Sequence, residues 1–432
     1  MGEDGESSHH GELSEDSFFD HELRAPIHAE IHARLIPPLQ APLRARRIVF
    51  LVGRHGEQMA YANTQLRNWC EEMGIAVPEE SWRQFSFSFE KYDVTWEAHT
   101  EFVTLTWYAP IDDKIARPMG IGLEVLKQFP IITAARIDIV ERHEISPSAL
   151  LGFEPKSLCL SRIGAGNAQI GTDFQTDEHG FTRFEIAVHQ LSSIKTGILV
   201  RRFLEIDTYR TMALVGLPDA RVQSRIVGGL EVELSTLNGE IGGVSTIEDS
   251  KRILGMLHSL SVRAGRSLDA TAYRFAASQA YGDVLQIRLD RIEEEQSEKH
   301  TTITRYLSNR VDPALATCRA TEKRQRSLNN KIARSIQLLD ARINVDIQSQ
   351  NREVLSSISK TAKSQYKLQS TVEGLSTIAI SYYALGILGY VFAGFAEQLP
   401  LSKTMMLGLL APFVLLASWF GIQAIKNRHK AE

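Results

Sequence analysis

The stretch "GLSTIAISYYALGILGYVFAGFA", Gly374–Ala396, holds no charged side chain, in a chain of which 23% of the residues are charged. As a helix these residues extend about 34 Å at about 1.5 Å each, enough to cross a hydrocarbon layer of about 30 Å with some tilt. A second uncharged run, "TMMLGLLAPFVLLASWFGIQAI" (Thr404–Ile425), follows after the connector "EQLPLSK". A soluble helix of this length carries a polar stripe facing water, and neither run has one. The two runs predict a transmembrane hairpin.

The flanks orient it. Lys360, Lys363 and Lys367 stand against Glu373 before the first run, and Lys426, Arg428 and Lys430 against Glu432 after the second. The connector offers Glu397 and Lys403. The positive-inside rule puts both termini in the cytoplasm of a bacterial inner membrane. Residues 1–25 hold eight acids and one base with few large apolar groups, which predicts a disordered acidic tail. The tail lacks the basic start and apolar stretch of a secretory signal, so the large N-terminal part is expected to stay cytoplasmic. Formal charge over 432 residues is only -4, which gives no global case for nucleic acid. Cys70, Cys159 and Cys318 lie far apart in no zinc spacing and suit a reducing compartment.

From Arg47 the pattern is one of short strands. "RIVFLVG" reads as a buried strand, and "EQMAYANTQLRNWCEEMG" as a helix closed by Gly74. Gln84–Pro110 alternates aromatic and β-branched with polar residues, predicting several antiparallel strands. "IITAARIDIVE", "KSLCLSRIGAG" and "FTRFEIAVHQ" add more, and a helix over Ser193–Leu217 closes an α+β domain. "NGEIGG" (Asn238–Gly243) is expected to be a turn within the helical region that follows. "RIGAGNAQIG" has the first two glycines of a dinucleotide loop but neither the third nor a helix start, so it reads as a hairpin turn.

Thr246–Glu373 reads as almost wholly helical, with a long stalk over about 314–373. Leu328, Ile332, Ile336, Leu339, Ile343, Ile347, Gln350, Val354 and Ile358 recur in steps of 4, 4, 3, 4, 4, 3, 4 and 4. That eleven-residue period is close to a straight helix. The stripe must pack on a helix of the same chain or on the same helix of another subunit, and the spacing leaves both open. Arg319–Lys367 carries eleven Lys and Arg against four acids, suited to anionic lipid at its membrane end.

Candidate sites are few. "HAEIH" sets His28 and His32 four apart, but Ala29 stands where a zinc protease carries glutamate, and the prolines that follow favour an extended segment. In "WEAHTEF", Glu97, His99 and Glu101 alternate along a strand and would share one face, as a metal or proton-transfer site or as an exposed sheet face. Ser376, Tyr383, Tyr390 and Glu397, seven apart, form a face of the first run that suits a pore lining or a contact with the second run. Gly389 and Ala393 allow close helix approach. No phosphate-binding loop, nucleophile elbow or cysteine pair is present in the sequence, so neither enzyme chemistry nor a cofactor is expected.

Several strings resemble one bacterial family, the domain-of-unknown-function 3422 family: "EIHARLIPPLQAPLR" (Glu30–Arg44), "WEAHTEF" (Trp96–Phe102), "LVRRFLEIDTYRTMAL" (Leu199–Leu214), "QNREVLSSISK" (Gln350–Lys360) and "LQSTVEGLSTIAISYYALGILGY" (Leu368–Tyr390). Leu35 stands where the family pattern has proline. The resemblance implies a two-span membrane protein and brings no activity with it. The order of parts is also similar to CorA-type magnesium channels, which are pentamers. Those carry Gly-Met-Asn at the end of the first span, where this chain has Gly389, Tyr390 and Val391. The expected architecture is therefore CorA-like: an acidic tail (1–25), an α+β cytoplasmic domain (26–217), a helical region with a long stalk (218–373), a transmembrane hairpin (374–396 and 404–425) and a basic tail (426–432). The expected role is scaffolding, sensing or regulation by an oligomeric membrane protein; the alternative is a cation channel with a non-standard filter.

Overall fold

The computed structural model describes residues 21–24, 27–28, 35–53, 56–78, 82–295, 299–394 and 402–429. The acidic tail expected over 1–25 lies outside them except for 21–24. The chain divides into two compact units, Met1–Asn238 with Leu257–Ala333, and Gly239–Met256 with Arg334–Glu432.

The first unit is α+β. In chain order it contains β1 (Leu43–Leu51), α1 (Gly56–Met73), β2 (Gln84–Phe89), β3 (Tyr92–Ala98), β4 (Phe102–Ala109), β5 (Ile131–Glu141), β6 (Cys159–Ile163), β7 (Ala168–Thr176), β8 (Thr182–Val188) and α2 (Ser193–Leu214). Next come α3 (Gly216–Gly243), α4 (Ile247–Asp290), the two-residue β9 (Glu294–Glu295) and α5 (Ile303–Ala393). The strands form one sheet in the order β2-β3-β4-β1-β5-β8-β7-β6-β9. β5 and β8 run parallel, and the other named pairs are antiparallel.

β1 is the pivot. Successive strand residues point to opposite faces, and the two halves of the sheet are apolar on opposite faces. Ile48 and Phe50 join Trp96, Leu105 and Trp107 under Leu66, Trp69 and Cys70 of α1. Ala45, on the other face, joins Ile137, Ile139, Phe184 and Ile186 under Val200, Phe203 and Leu204 of α2. Full burial of each such side chain contributes about 1.5–3 kcal/mol. The end of α4 (Leu285, Leu289) and the start of α5 (Ile303, Leu307, Val311) belong to that second core. The helical region therefore begins inside the sheet's own core.

The remaining half-faces are charged. Beside the α1 core, Arg46 is 3.0 Å from Asp113, with both side chains almost fully buried, and Lys91 reaches the same carboxylate at 2.8 Å. Arg44 pairs with Asp138, and Arg136 with Asp177 at 2.8 Å. The stretches expected as strands fall on β1 to β6 and β8, while β7, which follows the Gly164–Gly166 turn, is not among them. The Gly164-Ala165-Gly166 turn between β6 and β7 has positive φ at all three residues, a hairpin turn as expected. Three details differ. Asn238–Gly243 lies within α3, and the chain turns after it. The helix from Ser193 ends at Leu214 rather than Leu217. The stalk helix starts at Ile303, with Pro313 inside it, where packing against the core offsets the roughly 3 kcal/mol that an interior proline costs.

α3, α4 and α5 also pack on one another, through Ala220, Phe275 and Cys318. Arg324 of α5 donates to Glu231 of α3 at 2.6 Å, and Gln325 donates to Ser267 Oγ of α4 at 3.1 Å.

In the second unit, Leu339 and Ile343 of α5 and Ile253 of α4 are buried. Arg342 donates to the carbonyls of Ile241 and Val244 at 2.8 and 2.6 Å, satisfying acceptors that the end of α3 leaves free. α6 (Lys403–His429) follows.

Burial alone would push the Asp113 carboxyl up, but hydrogen bonds and charge from Lys91 and Arg46 outweigh it and hold it below its ordinary value. Such a group adds stability above the unfolded carboxylate range, and that stability is lost as pH falls through the lowered value. Asp113→Asn is expected to cost about 3 kcal/mol at neutral pH, since Arg46 is left buried and unpaired. The difference from the parent protein should shrink below about pH 4. Chemical denaturation of both proteins across pH checks it.

Candidate functional site

Two helical segments, the C-terminal end of α5 and Thr404–Ala424 of α6, are long and apolar enough to cross a membrane. Their side chains divide by spacing. On α5, Ser381 is 2% exposed and Gly389 is buried, with Thr377 half-buried. On α6 the half-buried positions include Leu407, Ala411, Val414, Ser418 and Ile422, in steps of four and three, with Met406 and Leu410 beside them. The spacing is that of two helices side by side, and Ser376 and Ile380 of α5 line one crevice with Ile422 of α6. The hydroxyls close on their own helix: Thr377 Oγ1 donates to the Glu373 carbonyl at 2.8 Å, and Ser381 Oγ to the Thr377 carbonyl at 2.7 Å. Neither leaves a polar group bare in an apolar setting.

The expected face Ser376, Tyr383, Tyr390 and Glu397 is not the covered side of α5. Tyr383 is 70% and Tyr390 82% exposed, so neither hydrogen-bonds the second segment. Ser376 lines a crevice of about 410 Å3 with Val372, Ile380 and Ile422, and Glu397 lies outside the described residues. A step of seven selects the tyrosines, whereas the covered positions Thr377, Ser381 and Gly389 lie on another side of the helix. The small side chains at four-residue spacing are the signal that finds that side. Of the Gly389, Tyr390 and Val391 motif, only the glycine is buried; Ala393, its expected companion, is exposed.

Glu97, His99 and Glu101 do not share a strand face. β3 ends at Ala98, and the chain reverses through His99–Glu101 into β4. Glu97 is buried between Arg47 at 3.0 Å and Arg201 of α2 at 2.9 Å, and accepts from Thr104. Glu101, wholly buried, takes both arms of Arg274 of α4 at 3.0 and 2.7 Å. His99 stacks on Phe102 at 4.2 Å. Each carboxylate is thus held by an arginine from a different helix, and the metal reading is corrected: among the described residues, no group of three His, Cys, Asp or Glu is placed to hold a metal ion. The pairs tie the polar half-face of β3 and β4 to α2 and α4. His28 is exposed, and His32 lies outside the described residues.

Of the basic residues expected near lipid, Lys360, Lys363 and Lys367 are exposed on α5. Lys426 and Arg428 fall within α6, and Lys430 lies outside the described residues.

Filling the covered side of α5 should separate the two segments. Ser381→Leu is expected to destabilise the detergent-solubilised protein by about 1–3 kcal/mol through overpacking, while Tyr383→Leu, on the open side, changes stability by under about 0.5 kcal/mol. Thermal unfolding of the two variants side by side checks this.

No curated protein matches the chain. The family described as "Protein of unknown function (DUF3422)" matches residues 19–429, which include the whole sheet, all of the long helices and both apolar segments. This chain therefore belongs to the DUF3422 family of proteins of unknown function.

Proposed function

We propose that the protein is an integral inner-membrane protein that holds its sheet domain at the cytoplasmic face, self-associates through α5, and acts by binding partners rather than by catalysis, as a scaffold, sensor or regulator. The observation that carries this is the continuity of α5. One helix begins in the core of the sheet, carries the eleven-residue stripe, and ends in an uncharged segment long enough to span a bilayer.

The stripe changes character along the helix. Leu328, Ile332, Leu339 and Ile343 are buried by the chain itself. Ile347, Val354 and Ile358 continue the same spacing but are 39%, 57% and 58% exposed. An apolar row that outlasts its own chain's cover, on a helix leading to a membrane, suits the same row of a second copy. Lys360, Lys363 and Lys367 then meet anionic headgroups, each favoured by about 1 kcal/mol when near the surface.

A second reading, a cation channel, is favoured by the outward position of Tyr383 and Tyr390, which leaves them available to line an axis shared between copies. Magnesium or potassium flux into liposomes, abolished by Tyr390→Ala, would select it over the scaffold.

Self-association is tested by cysteine cross-linking in membranes, for which Cys70, Cys159 and Cys318 are all buried and silent. Val354→Cys and Ile358→Cys are expected to give disulfide-linked dimers, and Arg352→Cys, on the opposite side of the helix, much less. Equal or absent cross-linking at all three removes α5 as the interface.

A further inference from the structure

Away from the membrane segments and the arginine–carboxylate clusters, the first unit contains a pocket of about 290 Å3 between the β6–β7 turn, the first turns of α2 and the end of α4. That volume is at the low end of small-molecule sites, which run from roughly 300 Å3. Its floor is apolar, made by Ile163, Leu191, Ile198 and Ile292. Its rim is cationic: Lys195 and Arg202 of α2, one helical face apart at seven residues, and Arg291 after α4, against Glu293 alone. Arg202 is part-buried and anchored, donating from Nη1 to the carbonyl of Arg291 at 2.7 Å, across the pocket from its own helix.

The charges here are arranged unlike those elsewhere in the unit. Arg44, Arg46, Arg47, Arg136, Arg201 and Arg274 each meet a carboxylate within 3.0 Å. No such pairing accounts for Lys195, Arg202 or Arg291 among the described residues. Burial, and then the neighbouring Arg291 guanidinium, lower the Arg202 proton affinity below its ordinary value, with Glu293 opposing them. Glu294, the nearest acid on the chain after Glu293, is engaged: its two oxygens accept from the Ile303 and Thr304 N–H groups at the start of α5. Like charges gathered over an apolar floor are costly unless an anion completes them.

We propose that this pocket binds a small phosphate ester with an apolar or aromatic body, its phosphate held by Lys195, Arg202 and Arg291 and its body lying on Ile163, Leu191 and Ile198. Arginine suits the phosphate because its planar fork presents paired donors. The site stands independently of the membrane reading, since every residue in it belongs to the sheet unit.

Calorimetric titration of the full-length, detergent-solubilised protein with 1-naphthyl phosphate tests it, with the same titration into detergent alone subtracted. Saturable binding of one molecule per chain is expected, with inorganic phosphate weaker by roughly tenfold or more because it leaves the floor uncovered. Arg202→Gln and Arg291→Gln should each weaken binding about tenfold. Lys195→Gln, at an exposed position that cannot compromise folding, should weaken it about threefold. Competition by a mononucleotide identifies a soluble ester as the natural class, and competition by dihexanoyl phosphatidate a lipid headgroup. Absence of binding, or binding unchanged in both Lys195→Gln and Arg291→Gln, overturns the proposal.

Discussion

Arg46 and Arg47 are neighbours in the chain, point to opposite faces of β1, and are both almost entirely out of water. A buried guanidinium without a partner is untenable by several kcal/mol, so each dictates what must surround it. Arg46 draws in Asp113 with Lys91, and Arg47 draws in Glu97, which in turn holds Arg201. The sheet can switch its apolar face at β1 only because these pairs neutralise the half-faces left polar. Helix α1 covers one half of the sheet from one side, and α2 with the ends of α4 and α5 covers the other half from the opposite side.

The same device fixes the helices. Glu97 binds α2 through Arg201, and Glu101, four residues on and within the hairpin turn, binds α4 through Arg274. Apolar burial supplies most of the stabilisation but is non-directional; directional ion pairs, bidentate at Glu101, select one docking of each helix among the many that would bury similar area. The contrast with the pocket beside Arg202 follows. Where the fold needs an arginine for docking, it supplies the carboxylate; beside Arg202 it supplies a cavity.

Much of the secondary structure was legible in the sequence because its signals are local. Alternation in "QFSFSF" and "FVTLTWYA" is the pleat of a strand written out, and the step pattern from Leu328 to Ile358 is a helix face. Less legible was where a helix stops. Glycines in "NGEIGG" suggest a turn, yet α3 continues through them, since glycine disfavours a helix by only about 1 kcal/mol and Arg342 holds the Ile241 carbonyl. The stalk expected from about 314 starts eleven residues earlier at Ile303, with Pro313 interior, because Val311 and Leu315 on either side of it are packed in the core. The reading of Glu97, His99 and Glu101 as one face failed because a tight turn after Ala98 breaks the two-residue period, and no residue in "AHTE" is the glycine or asparagine that usually advertises one.

What the sequence determined by itself is the pair of apolar segments. Lipid compatibility is a property of composition and length, twenty or so uncharged residues in a row, and it depends on no partner elsewhere in the chain. The face that each segment turns to the other was decided only by tertiary structure. Thr377, Ser381 and Gly389 are covered, and Tyr383 and Tyr390 are exposed, a choice that no spacing within one segment dictates. The pairing of arginines with carboxylates was likewise invisible beforehand. Arg47 and Glu97 are 50 positions apart, Glu101 and Arg274 173, and only a folded sheet brings charges from such distances into one buried place.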